Sequence, residues 1–273
     1  MGITDFHVHA GVFTSLRDDI QGLITKRSME PGVRVEEVFS TPSRLESYLR
    51  ANGVEQTVLV AECGPGTNFS IDSEMIANFC KGRPMFIPFG SLNPNFHSIP
   101  TEFEKSIQLG MRGFKLYPAD HDFDPFTPEM MLVYQECERL RLPVMFHTGL
   151  TAQRDAKQRH IAPREFAPLV EHFPALLLIL AHAGKPHWFA DAADMAKRYP
   201  NLYLDTALVD PATLTTGSFA DDGVLAKVLF GSDWPVCGGY SGVLDRYKAT
   251  LPMQVQQAVF TDNPRRVIAK IGV

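Results

Sequence analysis

Near the start of this 273-residue chain, Ile3-Thr4-Asp5-Phe6-His7-Val8-His9 ends in two histidines spaced i and i+2. In an extended strand, side chains two apart share a face, so both imidazoles project together and can grip one divalent metal ion. Taken alone, the pair reads equally well as a strand end carrying two unrelated histidines. A catalytic metal site needs three or four nitrogen and oxygen ligands with an open position for water, so the pair gains meaning only with partners.

Four later segments supply them. Gly113-Phe114-Lys115-Leu116-Tyr117-Pro118, Val144-Met145-Phe146-His147-Thr148-Gly149, Leu180-Ala181-His182-Ala183-Gly184 and Phe230-Gly231-Ser232-Asp233-Trp234-Pro235 each run from apolar residues into a polar end. Each has a plain structural alternative. A histidine beside a strand end can be a hydrogen-bonded core residue, Asp233 can cap the turn that follows, and Lys115 can snorkel from the interior. Their shared position at one end of five strands is what favours chemistry, provided that the fold brings those ends together.

The elements required for that are visible in the patterning. Short apolar runs predict strands at 3–9, 57–62, 85–90, 113–118, 143–148, 176–182, 202–206 and 228–233. After the first, their starts recur every 26–33 residues, the length of a βα unit. Continuous runs such as Leu176 to Leu180 suit strands buried on both faces. Amphipathic helices are predicted at 41–52, 73–81, 100–109, 128–141, 163–172 and 190–198, several opening on proline or a Ser/Thr cap. Eight such units predict a (β/α)8 TIM barrel in a single domain, whose C-terminal strand ends converge where enzymes of this architecture place their chemistry. Residues 10–40, broken by Gly11, Gly22, Pro31 and Gly32, form an insertion after the first strand that is expected to act as a lid. The irregular stretch 150–162, with Arg154, Lys157, Arg159 and His160, is either pocket rim or solvated loop.

Bulk properties exclude several classes of protein. With 26 basic and 31 acidic residues, a net charge of -5 and no long run of either sign, nucleic acid is not an expected partner. No apolar stretch reaches the ~18 residues of a membrane span, and the N-terminus lacks a secretion-signal pattern. A cytoplasmic protein without a membrane partner is expected. Cys63, Cys80, Cys137 and Cys237 form no CxxC pair, which argues against a disulfide framework or a structural zinc site.

The ordered set of His-x-His, a histidine after strand five, another after strand six and an aspartate after strand eight resembles the amidohydrolase superfamily of metal-dependent enzymes. More narrowly, His182-Ala183-Gly184, Gly231 to Pro235 and Asp262-Asn263-Pro264-Arg265-Arg266 are similar to the amidohydrolase 2 branch, which includes relatives of aminocarboxymuconate-semialdehyde decarboxylase. The resemblance runs from Ile3 to the last helix. It implies that His7, His9, His147 and Asp233 ligate a single divalent metal, most simply Zn2+, with Mn2+, Fe2+ or Co2+ as substitutes. It further implies that His182 stands just beyond the ligands as a base or electrophile, and that Asp233 also shuttles a proton. In binuclear members the strand-four lysine is carboxylated and bridges two metals; Lys115 is read here as a substrate-carboxylate contact instead. Asp5 either supports the pair from behind or bonds at the strand entrance, and Glu62 is a further carboxylate at the mouth. The deoxyribonuclease-like branch, which ends strand eight with Glu-Thr-Asp-Ser-Pro, fits less well.

Phe13, Tyr117, His121, His187, Trp234 and Tyr240 are aromatic candidates for the pocket wall, with Tyr117 and Trp234 assigned to the substrate. The first functional expectation is hydrolysis of an amide, lactam, lactone or ester in a small carboxylated molecule by metal-activated water. The alternative is non-oxidative decarboxylation of a carboxylated aromatic or muconate-like compound, and Thr148-Gly149 after the strand-five histidine, where such decarboxylases often have proline, leans away from it. A non-catalytic ligand-binding barrel comes third, and assembly as a homodimer stays open.

Overall fold

The computed structural model describes residues 2–28, 30–64, 67–151 and 156–272, so Arg154 lies outside the described residues. Eight strands occur among them: β1 (Ile3–Val8), β2 (Val54–Val60), β3 (Phe86–Phe89), β4 (Phe114–Leu116), β5 (Val144–His147), β6 (Leu178–Ala181), β7 (Leu202–Asp205) and β8 (Val228–Leu229). All neighbours pair in parallel, in one run β1-β2-β3 and another β4-β5-β6-β7-β8. Parallel bridges Gly90 to Phe114 and Val8 to Trp234 join the two runs at both seams, so the sheet closes on itself. Eight parallel strands in a closed ring, alternating with helices, make a (β/α)8 barrel.

Two apolar clusters reflect the two faces of that ring. Phe6, Val58, Val60, Phe89, Met145, Ile179, Tyr203 and Leu229 come from seven strands and pack together, which is possible only inside the barrel. The larger cluster lies between the strands and the surrounding helices. Local chemistry explains several helix starts: Pro42 and Pro128 occupy first-turn positions, and the Asp72 side chain accepts from Met75 N at 2.8 Å.

Every expected strand is present, but β8 is shorter than 228–233. Asp233, past the end of the strand, has a left-handed backbone (φ 63°) and donates its N–H to His7 O at 2.9 Å. The expected helix 163–172 opens as a 3-10 turn, Pro163–Phe166, before Ala167–His172. Residues 10–40 carry more structure than expected. Helix Asp18–Arg27 tolerates Gly22 because acidic Asp18 and Asp19 lie in its first turn, Lys26 and Arg27 in its last, and Ile20 and Ile24 are buried. It is followed by Val35–Ser40, whose buried Phe39 meets Phe13, Phe69 and Trp234.

Candidate metal centre

The C-terminal strand ends bring His7, His9 and Asp233 into one buried group whose ligand atoms all lie within 4.8 Å of one another. His9 Nε2 is 3.1 Å and His7 Nε2 is 3.6 Å from Asp233 Oδ1. His7 is oriented from behind: its Nδ1 donates to Asp205 Oδ2 at 2.9 Å, which leaves the Nε2 lone pair facing the group. Asp5 supports the backbone. Its carboxylate accepts from His7 N (2.9 Å), Ser232 N (3.0 Å) and the Tyr240 hydroxyl (2.8 Å), tying β1 to the turn after β8.

His182 sits beside the trio with its ring centroid 5.0 Å from that of His7 and 4.5 Å from that of His147. Its Nδ1 donates to the Ala207 carbonyl at 2.9 Å, so Nε2 is the free acceptor. Thr148 Oγ1 donates to Ala181 O and accepts from Gly184 N, which ties the end of β5 to the His182 turn. Backbone strain concentrates here, since His182, Ala183, Leu208 and Asp233 all have positive φ.

These residues surround a cavity of about 130 Å3, further lined by Glu62, Asn68, Phe69, Lys115, Tyr117, Asp120, His147, Leu150, Thr151, Lys185, Leu208 and Val236. Lys115 is fully buried; its Nζ has no hydrogen-bond partner among the described residues and stands 4.6 Å above the Tyr117 ring. His7 Nε2, His9 Nδ1 and His147 Nε2 are likewise buried without a partner. Burial lowers His9 to about 4 and holds His147 and His182 well below the usual imidazole range, so these rings are neutral at physiological pH. Burial would raise Asp233, but the neighbouring His7, the His9 hydrogen bond and Lys185 hold it well below the ordinary carboxylate range. Glu62 goes the other way: burial, then Asp120, push it up to about 8. Burial raises Asp120 to about 6 and lowers Lys115 to about 8.

The sequence-derived residues divide clearly. His7, His9, His147, His182, Asp233, Lys115 and Tyr117 all line the one cavity, although His147 belongs to no compact trio of ligand atoms among the described residues. Trp234 does not line it. Its ring packs on Phe39 and Tyr48, because the turn after Asp233 sends the next side chain outward into the apolar layer. Of the other aromatic candidates, Tyr240 binds Asp5, His121 packs on Tyr117 and Phe123, and Phe13 and His187 are absent from the lining. In the 150–162 stretch, Lys157 and Arg159 pair with Asp122 and His160 with Glu165, while Leu150 and Thr151 reach the cavity. Sequence reading missed Asp205, Asp120 and Lys185. Asp205 carries the same signal as the rest, a polar residue ending strand seven.

A family model described as amidohydrolase, of the Amidohydro_2 type, matches residues 5–269. The chain belongs to the amidohydrolase family. No curated protein sequence matches this amidohydrolase. Among solved structures, it resembles an uncharacterised TIM-barrel protein from Bordetella bronchiseptica (22% identity, TM-score 0.77, 99% of each chain covered). It also resembles a probable 2-pyrone-4,6-dicarboxylic acid hydrolase from Acinetobacter baumannii with citric acid bound (14%, TM-score 0.66, 98% of this chain and 100% of that one). A third is a dihydroxybenzoic acid decarboxylase from Polaromonas with manganese and 2-nitroresorcinol bound (17%, TM-score 0.62, 98% and 97%). Decarboxylases of 2,6-dihydroxybenzoate and 5-carboxyvanillate recur among such structures. No helix among the described residues is long and apolar enough to cross a membrane.

Proposed function

We propose that this amidohydrolase is a metal-dependent decarboxylase of a small carboxylated aromatic. The observation that carries the reading is the cavity: a fully buried, unpartnered Lys115 shares about 130 Å3 with the His7, His9 and Asp233 group. That volume is well below the ~300 Å3 at which most ligand pockets begin, so the substrate is compact. Hydrolysis ranks first on sequence alone; the decarboxylases among the structural relatives move decarboxylation ahead of it.

The donor set fits one divalent cation. Buried imidazole nitrogens without partners at His7 and His147, together with His9 and the Asp233 carboxylate, are costly unless something binds them. His7, His9, His147 and Asp233 would hold zinc or manganese, which when bound supplies a Lewis acid for substrate oxygens. Lys115 engages the substrate carboxylate by charge, and Tyr117 forms the adjoining wall. His182, neutral with its Nδ1 hydrogen committed to Ala207, offers Nε2 to a substrate hydroxyl. Asp233 is a poor proton donor because its acid form is disfavoured, whereas burial and the neighbouring Asp120 shift Glu62 towards its acid form. Glu62 therefore delivers a proton to the ring carbon as the bond to the carboxylate breaks. The bonding pair stays on the ring and carbon dioxide leaves.

Hydrolysis is the second reading, favoured by the likeness to the pyrone dicarboxylic acid hydrolase. There His182 Nε2 takes the proton of an attacking water. The test is to incubate metal-loaded protein with hydroxylated benzoates and with a pyrone lactone, following carbon dioxide and ring opening separately. Carbon dioxide from a benzoate, abolished by His7→Ala, is the expected result; lactone opening without it would replace the first reading by the second.

A further inference from the structure

Leu208 lines both the metal-centre cavity and a second cavity of about 250 Å3, the latter bounded also by Thr206, Asp210, Cys237, Arg246 and Tyr247. Its backbone is left-handed, with φ 57°, a conformation leucine rarely adopts. The residue is 39% exposed, so burial gives little compensation. The conformation is imposed by the flanking residues. Ala207 N donates to Asp205 Oδ1 at 2.6 Å, Ala207 O accepts from His182, Val209 N donates to Thr206 O at 2.9 Å, and the Tyr247 hydroxyl donates to Thr206 O and Val209 O. The backbone of this loop is thus fixed by the residues that orient His7 and His182. The Leu208 side chain takes no part in that network, and the residue is shared by the walls of both cavities.

We infer that Leu208 is the partition that limits the acid accepted by this centre to a single ring, and that removing its side chain joins the two cavities. This rests on the reading of the metal-centre cavity as the substrate site, whichever bond is broken there. Leu208→Gly is the informative variant, because glycine adopts the left-handed backbone without strain and leaves the loop's hydrogen bonds in place.

The test is calorimetric binding of benzoate and 2-naphthoate to metal-loaded wild-type and variant protein. Wild type is expected to prefer benzoate by at least about tenfold, the discrimination a steric wall supplies. Leu208→Gly is expected to bind 2-naphthoate at least about tenfold more tightly than wild type does, so that the ratio of the two affinities shifts towards the larger acid. An unchanged ratio of the two affinities, with benzoate still bound, overturns the partition and leaves the site intact. Failure of wild type to bind benzoate overturns the reading of the site and the inference with it. Should Leu208→Gly not fold, Leu208→Asn, which also tolerates positive φ, is expected to shift the ratio in the same direction, and no shift overturns the proposal.

Discussion

His7 illustrates how a ligand is made from more than its own side chain. Its Nε2 points into the centre because Nδ1 is committed to Asp205, which in turn also accepts from Ala207 N. An amide at position 205 can present its oxygen or its NH2 group to Nδ1, so the histidine is no longer held in one tautomer. Asp205→Asn is expected to lower affinity for zinc or manganese by about 10–100-fold, the usual effect of losing a carboxylate behind a ligating histidine. Competition against a chromogenic chelator measures this, and circular dichroism should be unchanged; wild-type affinity in the variant would show that Asp205 does not set the ligand's orientation. Residues at this scale were legible where the sequence paired an imidazole with an apolar run. Lys185 and Asp120 were not, because loop residues carry no periodicity and reach the cavity only through the path of the chain.

At the scale of elements, the centre depends on close approach between strand ends. A Cβ on Gly231, which follows β8, would lie 2.8 Å from both Asp205 carboxylate oxygens. Gly149, just past β5, has φ 81°, and a side chain there would strike the Lys185 backbone. These glycines let neighbouring loops share the mouth of the barrel. Gly231→Ala should therefore displace Asp205 from His7 and cost about 1–3 kcal/mol, the usual penalty of overpacking. Urea denaturation gives the stability change and metal titration the loss of affinity; an alanine variant with unaltered stability and metal binding would contradict the packing described. The same geometry explains why the strand-end rule misplaced Trp234. Alternation predicts a side chain's face only while the strand lasts, and β8 ends before the left-handed Asp233 redirects the chain.

The whole molecule encloses groups of opposite preference, and its stability without metal follows from both. His9, lowered to about 4, is stabilising in its neutral form; that contribution is present above pH ~6.5 and lost as pH falls towards 4. Glu62, raised to about 8, behaves oppositely: the folded state holds its proton more tightly than the unfolded chain does. Its contribution is full below pH ~4.5 and is lost as pH rises through about 8. Metal-free wild type should therefore lose stability relative to Glu62→Gln between pH 5 and pH 8, by a few kcal/mol on the order implied by the shift. Paired urea titrations across that range test it, and a difference that stays constant with pH would mean that Glu62 is not buried as described.

The periodic pattern of apolar runs determined the eight strands, and the residues that end them named half of the cavity wall in advance. That succeeds because a parallel barrel converts regular one-dimensional spacing into one shared rim, so strand order alone brings His7, His147, His182 and Asp233 together. Helix Asp18–Arg27 was masked by glycine in its interior and became visible only through the burial of Ile20 and Ile24. Tertiary structure alone decided which face each loop residue presents, how His7 is oriented, and where Leu208 divides the space. Those outcomes depend on contacts between residues far apart in the chain, such as Asp205 with His7 or Asp5 with Tyr240, for which no local spacing gives a signal.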